Sequence, residues 1–442
     1  MLESLPGFRD FEPSACAQRN VLFQGWRTVA HRFSFEEFDG PILEPLELFT
    51  KKSGEEIVHQ LFSFEDKGGR KIALRPEMTP SLTRILGKNL STLKRPTKWF
   101  NITEQFRYER PQKGRLRSFY QLNADIVGEP SYDAEAELIA LAIESFRYFG
   151  LTHEQVYLRL SDRQLWQIWL QSFGVTDPEQ IGSILSILDK WERRLQSDIQ
   201  ADLQKWLPTS ARPKAFWEAT ENLRQAKTLD AIRTCFVQQT NDPAIHQSLQ
   251  QRLVEWEGLL QRLTMLHCEH FVAIDLTIVR GLAYYTGFVF ELFETGNQGR
   301  ALAGGGRYDE LFEKLTGHAM PAVGFAAGDV TITDLLQKHH LFPTYQRKID
   351  GVLVFEPTEQ ATALSYAQQL REAGCSILYP FGETKSLSKQ LKKAYHEQPR
   401  YILLFTKEAG EQGNVQIKRL SDETTHTIPY KEIATFLSSK PL

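Results

Sequence analysis

The sequence predicts an α+β domain, an antiparallel sheet flanked by helices, that is interrupted by a helical insertion and followed by a separate α/β domain. Three observations carry this. The first 130 residues hold strand pairs in hairpin pattern without β-α-β alternation. A stretch from about 163 to 265 is rich in Gln, Leu, Trp and charge at helical spacing. Beyond about residue 349, short apolar strands alternate with helices.

In chain order, Val21, Leu22, Trp26, Val29 and Phe33 recur at helical spacing after Pro13-Ser14, which predicts a helix over 14–35. Residues 38–45, with Gly40, Pro41 and Pro45, break it and read as extended. Residues 61–64 and 72–75 flank Asp66-Lys67-Gly68-Gly69-Arg70, a hairpin pattern with turn residues at its centre. Residues 99–108 and 118–128 form a second strand pair joined by a basic loop, and a helix follows over 134–149. The insertion is broken at Pro178, Pro208, Pro213 and Pro243. Strands resume over 271–276 and 288–293, then come a Gly-rich stretch and a helix near 331–337. After a linker over 338–348, strands are expected at 351–355, 376–379, 401–405 and 415–418, with helices at 359–373 and 387–395, giving a mainly parallel sheet.

At 442 residues the chain has room for two to three domains with cores of their own. A formal net charge of −3 argues against a protein that coats nucleic acid indiscriminately, yet leaves room for a specific RNA partner bound by local basic surface. No apolar run approaches the roughly 20 residues that span a bilayer, and the opening ten residues lack a signal-peptide pattern. Four scattered cysteines, Cys16, Cys235, Cys268 and Cys375, fit a reduced cytoplasmic chain. His267-Cys268-Glu269-His270 lacks the spacing of a zinc site, so no metal ligand set is expected of the protein itself.

Four segments carry candidate chemistry. In 106–119, Arg107 and Glu109 alternate along a strand and share a face, and the loop beyond brings Arg110, Lys113, Arg115 and Arg117 around Gly114. Guanidinium groups clamp phosphate oxygens in pairs, so the loop suits a polyphosphate or an RNA end; alone, it also fits a solvated basic hairpin tip. Arg280-Gly281-Leu282-Ala283-Tyr284-Tyr285 sets paired tyrosines beside an arginine, as in a polar small-molecule pocket or an aromatic strand corner. Gly304-Gly305-Gly306 allows close backbone approach, and amides there can serve an anion. The run matches neither a dinucleotide loop nor a Walker A loop. Glu77 and Thr79, two apart after a strand, suit an ammonium group.

Together these segments resemble the histidyl-tRNA synthetase family over nearly the whole chain. Gly7-Phe8-Arg9-Asp10 looks like its N-terminal loop, residues 38–49 with Pro41 like class II motif 1 at a dimer interface, and 106–121 like motif 2. Segments 280–291 and 304–309 look like its two histidine-specific segments, and 349–438 like its anticodon-binding domain. The resemblance implies a class II synthetase catalytic domain over 1–337, with the insertion at about 163–265, and an anticodon-binding α/β domain over 349–442. It implies a cytoplasmic homodimer that adenylates histidine with ATP and Mg²⁺ and transfers it to tRNA(His).

By the same resemblance, Glu77, Thr79 and Gln121 take the α-ammonium group, Asp125 and Tyr285 the two imidazole nitrogens, and Tyr284 and Tyr308 wall the pocket. Arg107 and Arg280 flank the α-phosphate, Arg115 reaches the outer phosphates, and Glu109 and Phe119 hold the adenine beside Gly304, Gly305 and Gly306. Gln112, Lys113 and Arg117 meet the acceptor end of the tRNA. Lys385, Lys389, Lys392 and Lys393 put charge around one C-terminal helix, beside anticodon-stem phosphates or as an ordinary exposed face. The chain departs from the family at Thr331, where motif 3 ends in an arginine, at Ala283 for a usual aspartate, and at Asp125 for a common glutamate. These departures keep open a second expectation, a non-catalytic, histidine-binding regulatory subunit of ATP phosphoribosyltransferase.

Overall fold

The computed structural model describes residues 3–53, 60–88, 90, 92–191, 194–208, 213–278, 285–296, 300–345, 347–382 and 386–438. The chain divides into two units, Met1–Pro343 and Thr344–Leu442.

The strands of the first unit are β1 (Glu36–Glu37), β2 (Leu43–Pro45), β3 (Ser63–Glu65), β4 (Lys71–Leu74), β5 (Thr97–Phe106), β6 (Ser118–Val127), β7 (Val156–Asp162), β8 (Val272–Ile274), β9 (Phe288–Glu294), β10 (Ala303–Arg307) and β11 (Ala322–Gly328). Eight of them form one sheet in the order β1-β5-β6-β11-β10-β9-β7-β8, and β2-β4-β3 form a small second sheet. The large sheet is antiparallel through its middle, as expected, but β1 pairs parallel with β5 and β8 parallel with β7. Both parallel strands are short and lie at the edges, joined to their neighbours by long excursions that free them from hairpin geometry.

The β3–β4 turn follows from its residues. Asp66 accepts backbone N–H groups of Gly68 and Arg70 at 2.9 Å each, and Gly69 takes φ +74°, a conformation that glycine reaches without strain.

Helices α1 (Pro13–Arg32), α2 (Leu46–Ser53), α3 (Thr79–Gly87) and α4 (Asp133–Arg147) precede the insertion. The insertion is α5 (Arg163–Gln171), α6 (Pro178–Leu188), α7 (Gln196–Trp206), α8 (Pro213–Arg224), α9 (Leu229–Gln239) and α10 (Pro243–Met265). Its prolines act as starts more than breaks: Pro178, Pro213 and Pro243 open α6, α8 and α10, where a missing N–H has no cost. Asp177, Thr228 and Asp242 cap α6, α9 and α10.

The insertion shares one core with the sheet, since Trp166, Trp169 and Trp256 are buried with β7 and β9 residues such as Leu160 and Phe290. Its root is a single fully buried carboxylate, Asp162. This side chain caps α5 through Gln164 N and accepts from Arg252 Nε at 2.6 Å and Trp256 Nε1 at 2.8 Å on α10. After β10, α11 (Glu310–Thr316) and α12 (Asp329–Lys338) complete the unit. The His267–His270 run is a turn: Cys268 is buried and Glu269–Phe271 form one 3₁₀ turn. No cluster of three metal-ligating side chains occurs among the described residues. Nor, among them, is any helix long and apolar enough to cross a membrane.

The second unit has β12 (Gly351–Phe355), β13 (Ile377–Leu378), β14 (Tyr401–Phe405), β15 (Asn414–Arg419) and β16 (Thr425–Pro429), in the order β13-β12-β14-β15-β16. Helices α13 (Gln360–Glu372), α14 (Leu387–His396), α15 (Lys407–Glu411) and α16 (Ile433–Ser438) surround the sheet. The expected parallel pairing holds for β13, β12 and β14, but β15 and β16 run antiparallel. A five-residue helix is too short a crossover to return a parallel strand, and β15 turns straight into β16 over an Asp422–Thr424 hydrogen bond. The sequence reading gave no strand at β16.

Candidate active site

Strands β5, β6, β11, β10 and β9 form a floor for two adjoining cavities that share Arg107, Gln121, Tyr285, Gly304 and Ala326. The smaller, about 80 Å³, is lined by Glu77, Thr79, Arg107, Gln121, Asn123, Asp125, Tyr285 and Tyr308 among others. Six of the seven residues assigned to the amino acid converge here. The seventh, Tyr284, lies outside the described residues, as does Arg280.

The chemistry of the small pocket follows from burial. Tyr308 donates its hydroxyl to Asp125 Oδ1 at 2.6 Å, and both are nearly inaccessible. Burial, with the Asp125 charge beside it, holds the Tyr308 phenol well above its usual range. Burial also pushes Tyr285 up, helped by Glu77 and Asp125. Both phenols therefore stay protonated donors at any working pH, and Asp125 Oδ1 accepts from one of them. The buried Oε1 of Gln121 finds no donor among the described residues, which suits an incoming cation. Glu77 is 5% exposed and stands just before α3.

Gly324 makes room for this arrangement. A Cβ there would come within 2.0 Å of Asp125 Oδ1, so any other residue would displace the carboxylate.

The larger cleft, about 590 Å³, is lined by Arg107, Glu109, Arg115, Phe119, Glu291, Arg300, Gly304, Thr331 and, from the end of α6, Asp189, with others. Arg107 donates from Nε to the Pro76 carbonyl at 3.1 Å, with its guanidinium 5.3 Å from the Phe119 ring centre. Glu109 and Arg115 are paired to each other at 2.5 Å. The Gly304–Gly306 run is a correction to the sequence reading. It is not a loop with free amides but the middle of β10, paired on one side with β9 and on the other with β11. Its glycines leave space instead: a Cβ on Gly305 would meet the Gly324 carbonyl at 2.3 Å.

The loop after β5 closes tightly at Lys113-Gly114, where Gln112 and Arg115 exchange backbone hydrogen bonds and Gly114 takes φ +72°. Gln112 and Lys113 are exposed at the tip. Arg117 is spent on the loop itself, donating from Nε to Glu109 O at 3.0 Å and stacking 4.6 Å from the Tyr108 ring centre. In the second unit, Lys389, Lys392 and Lys393 are exposed on α14, whose buried Gln390 pairs both ways with the Phe355 backbone; Lys385 lies outside the described residues.

Four residues escaped the sequence reading: Asn123, Glu291, Asp189 and Arg300. Glu291 had a signal, a lone charge within the apolar run Phe288–Phe293. The others depend on contacts far apart in the chain. Two braces were equally invisible. Buried Asp329 accepts from Arg9 at 2.8 Å and from Tyr120 N at 2.9 Å, and Gly7 O accepts from Arg117 N and Ser118 N, which fixes the β6 side of the motif-2-like hairpin. Buried Arg307 donates from Nε to Glu135 at 2.6 Å and from its other nitrogens to Glu129 O and Ser131 O, anchoring the strand end that carries Tyr308.

Residues 7–330 match the family model for histidyl-tRNA synthetase, and residues 351–440 match that for the anticodon-binding domain. A histidine–tRNA ligase of Opitutus terrae is 42% identical over 98% of this chain and 97% of its own length. A chloroplastic/mitochondrial histidine–tRNA ligase of Arabidopsis thaliana is 35% identical over 94% of this chain and 82% of its own. Among solved structures, a histidyl-tRNA synthetase from Nostoc sp. PCC 7120 superposes with a TM-score of 0.76 at 23% identity, covering 99% of each chain. The fold is also that of a Bacillus halodurans protein described as an ATP phosphoribosyltransferase regulatory subunit/histidyl-tRNA synthetase, with a TM-score of 0.73, 20% identity and 92% of this chain covered.

Proposed function

Because the chain belongs to the histidyl-tRNA synthetase family and is a histidine–tRNA ligase, we propose that the small pocket selects histidine and the wider cleft holds ATP for attack at its α-phosphorus. The observation that carries this is the Asp125–Tyr308 pair beside Tyr285, Gln121 and Glu77, on the same sheet floor as Arg107. An imidazole offers one N–H and one bare nitrogen, and a fixed carboxylate acceptor with a phenol donor reads both.

Adenylation joins a histidine carboxylate oxygen to the α-phosphorus and releases pyrophosphate. The terminal ribose hydroxyl of the tRNA then attacks the acyl carbon and releases AMP. Arg107 stabilises charge growing on the α-phosphate, and Arg280, on the sequence resemblance alone, meets it from the other side. Phe119 gives the adenine a stacking face, and Arg115 exchanges Glu109 for phosphate oxygens when nucleotide enters. The cleft carboxylates of Glu291 and Asp189 are hard oxygen donors that would hold Mg²⁺, which would supply charge neutralisation on the outer phosphates.

Exposed Gln112 and Lys113 face an acceptor end, and the α14 lysines lie on the unit that matches anticodon-binding domains. Exposed Ile42, Leu43 and Phe64, on the β2–β4 sheet and beside Pro41, support a homodimer interface there, in a cytoplasmic enzyme.

Purified protein is expected to exchange labelled pyrophosphate into ATP only when histidine is present, and to charge tRNA(His). No exchange at saturating histidine, with histidine still bound, would favour the regulatory reading. Within the pocket, Asp125→Ala should weaken histidine binding by roughly 10- to 100-fold, since truncation leaves the buried imidazole N–H without its acceptor at a cost of about 1–3 kcal/mol. Calorimetry with histidine alone measures it, and unchanged affinity would remove Asp125 from the selection step.

A further inference from the structure

We infer that Arg300 supplies the positive charge that residue 331 lacks, binding the outer phosphates of ATP from the segment before β10; the inference rests on the ATP cleft proposed above. The β11–α12 junction is one wall of that cleft and contributes Gly328, Val330 and Thr331 to its lining. None carries a cation, and the neighbouring Asp329 turns away to Arg9. A nucleoside triphosphate brings about four negative charges, so this wall is electrostatically bare where the ligand is most charged.

Arg300 stands at the same corner. It enters from the segment before β10, lines the cleft, and donates from Nη1 to the Gly114 carbonyl at 3.4 Å. A Cβ on Gly114 would lie 3.3 Å from Thr331 Cγ2 and 3.6 Å from Arg300 Cδ. Both side chains thus rest on one loop glycine, one neutral and one cationic. Arg107 and Arg115 are the other guanidiniums lining the cleft among the described residues, and Arg115 is neutralised by Glu109 until something displaces it. Arg300 is exposed at the rim of the cleft, where an arriving phosphate can reach its guanidinium. The small residue at 331 and the arginine at 300 then form one unit: a second arginine at 331 would crowd the same space.

The test uses the full-length protein, reading ATP affinity by calorimetry and ATP KM by histidine-dependent pyrophosphate exchange. Arg300→Ala should weaken ATP binding by about tenfold or more, the scale of a lost charge-assisted phosphate contact, with histidine affinity unchanged. Arg300→Lys should recover part of the loss. Arg300→Ala combined with Thr331→Arg should recover most of it, because charge returns to the corner by the other route. ATP affinity within twofold of the parent in Arg300→Ala, or equal losses for ATP and histidine, would overturn the inference. A parent protein that binds ATP but shows no exchange would sink the ligase reading alone, and the calorimetric comparison would still judge Arg300.

Discussion

Arg107→Ala is expected to lower kcat for histidine-dependent pyrophosphate exchange by about 10²- to 10³-fold, with a much smaller change in ATP KM. Arg107 is one of the residues that line both cavities, so its side chain stands at the border between the carboxylate and the phosphorus it must join. It is also preorganised. Its Nε is committed to the Pro76 carbonyl, and its plane lies near the Phe119 ring. A group fixed this way gains most when charge appears on the phosphate oxygens, which places the loss in kcat. Arg107→Lys should recover little, because an ammonium cannot hold Pro76 and a phosphate oxygen with one planar fork. A variant whose ATP KM rises while kcat holds would make Arg107 an ordinary ground-state anchor.

The largest effect on stability is expected from Arg307→Ala, a loss of about 3–5 kcal/mol in chemical denaturation. Removing the guanidinium strands Glu135, which is 1% exposed, and frees the carbonyls of Glu129 and Ser131. Even in the intact pair, burial raises Glu135 above its usual value against the pull of Arg307. The sign of the pH effect follows. A carboxyl with a raised folded value penalises the fold when ionised, and the penalty disappears as pH falls below its unfolded value. The deficit of Arg307→Ala against the parent should therefore be larger at pH 8 than near pH 5. Adding Glu135→Gln should recover part of it by removing the buried charge. A pH-independent deficit would point to lost packing instead.

The sequence made local chemistry legible where alternation or turn residues report it. The Asp66 turn, the insertion and the small pocket's Glu77, Thr79, Gln121, Asp125, Tyr285 and Tyr308 all emerged from order and spacing along the chain, the last set through family resemblance. Arg107 and Glu109, expected to alternate along a strand, instead share the cleft from beyond the end of β5 at Phe106, where Glu109 N turns back to Arg107 O. What stayed hidden was pairing at long range. Gly304–Gly306 has the composition of a loop, and only strands on both sides turn it into sheet. Arg300 and Asp189 reach the cleft from segments whose local pattern says surface. Parallel edges such as β1 on β5 depend on where a connection ends, which periodicity does not encode. Arg280 and Tyr284 lie outside the described residues, so their roles rest on the resemblance.

The carboxylate of Asp162 grips both the first and the last helix of the insertion, while Asp189 at the end of α6 reaches the nucleotide cleft. The two ends of this excursion of about a hundred residues are therefore stapled to one point on β7. Both helices also bury tryptophans in the sheet's own core, so the insertion and β7 hold or loosen together.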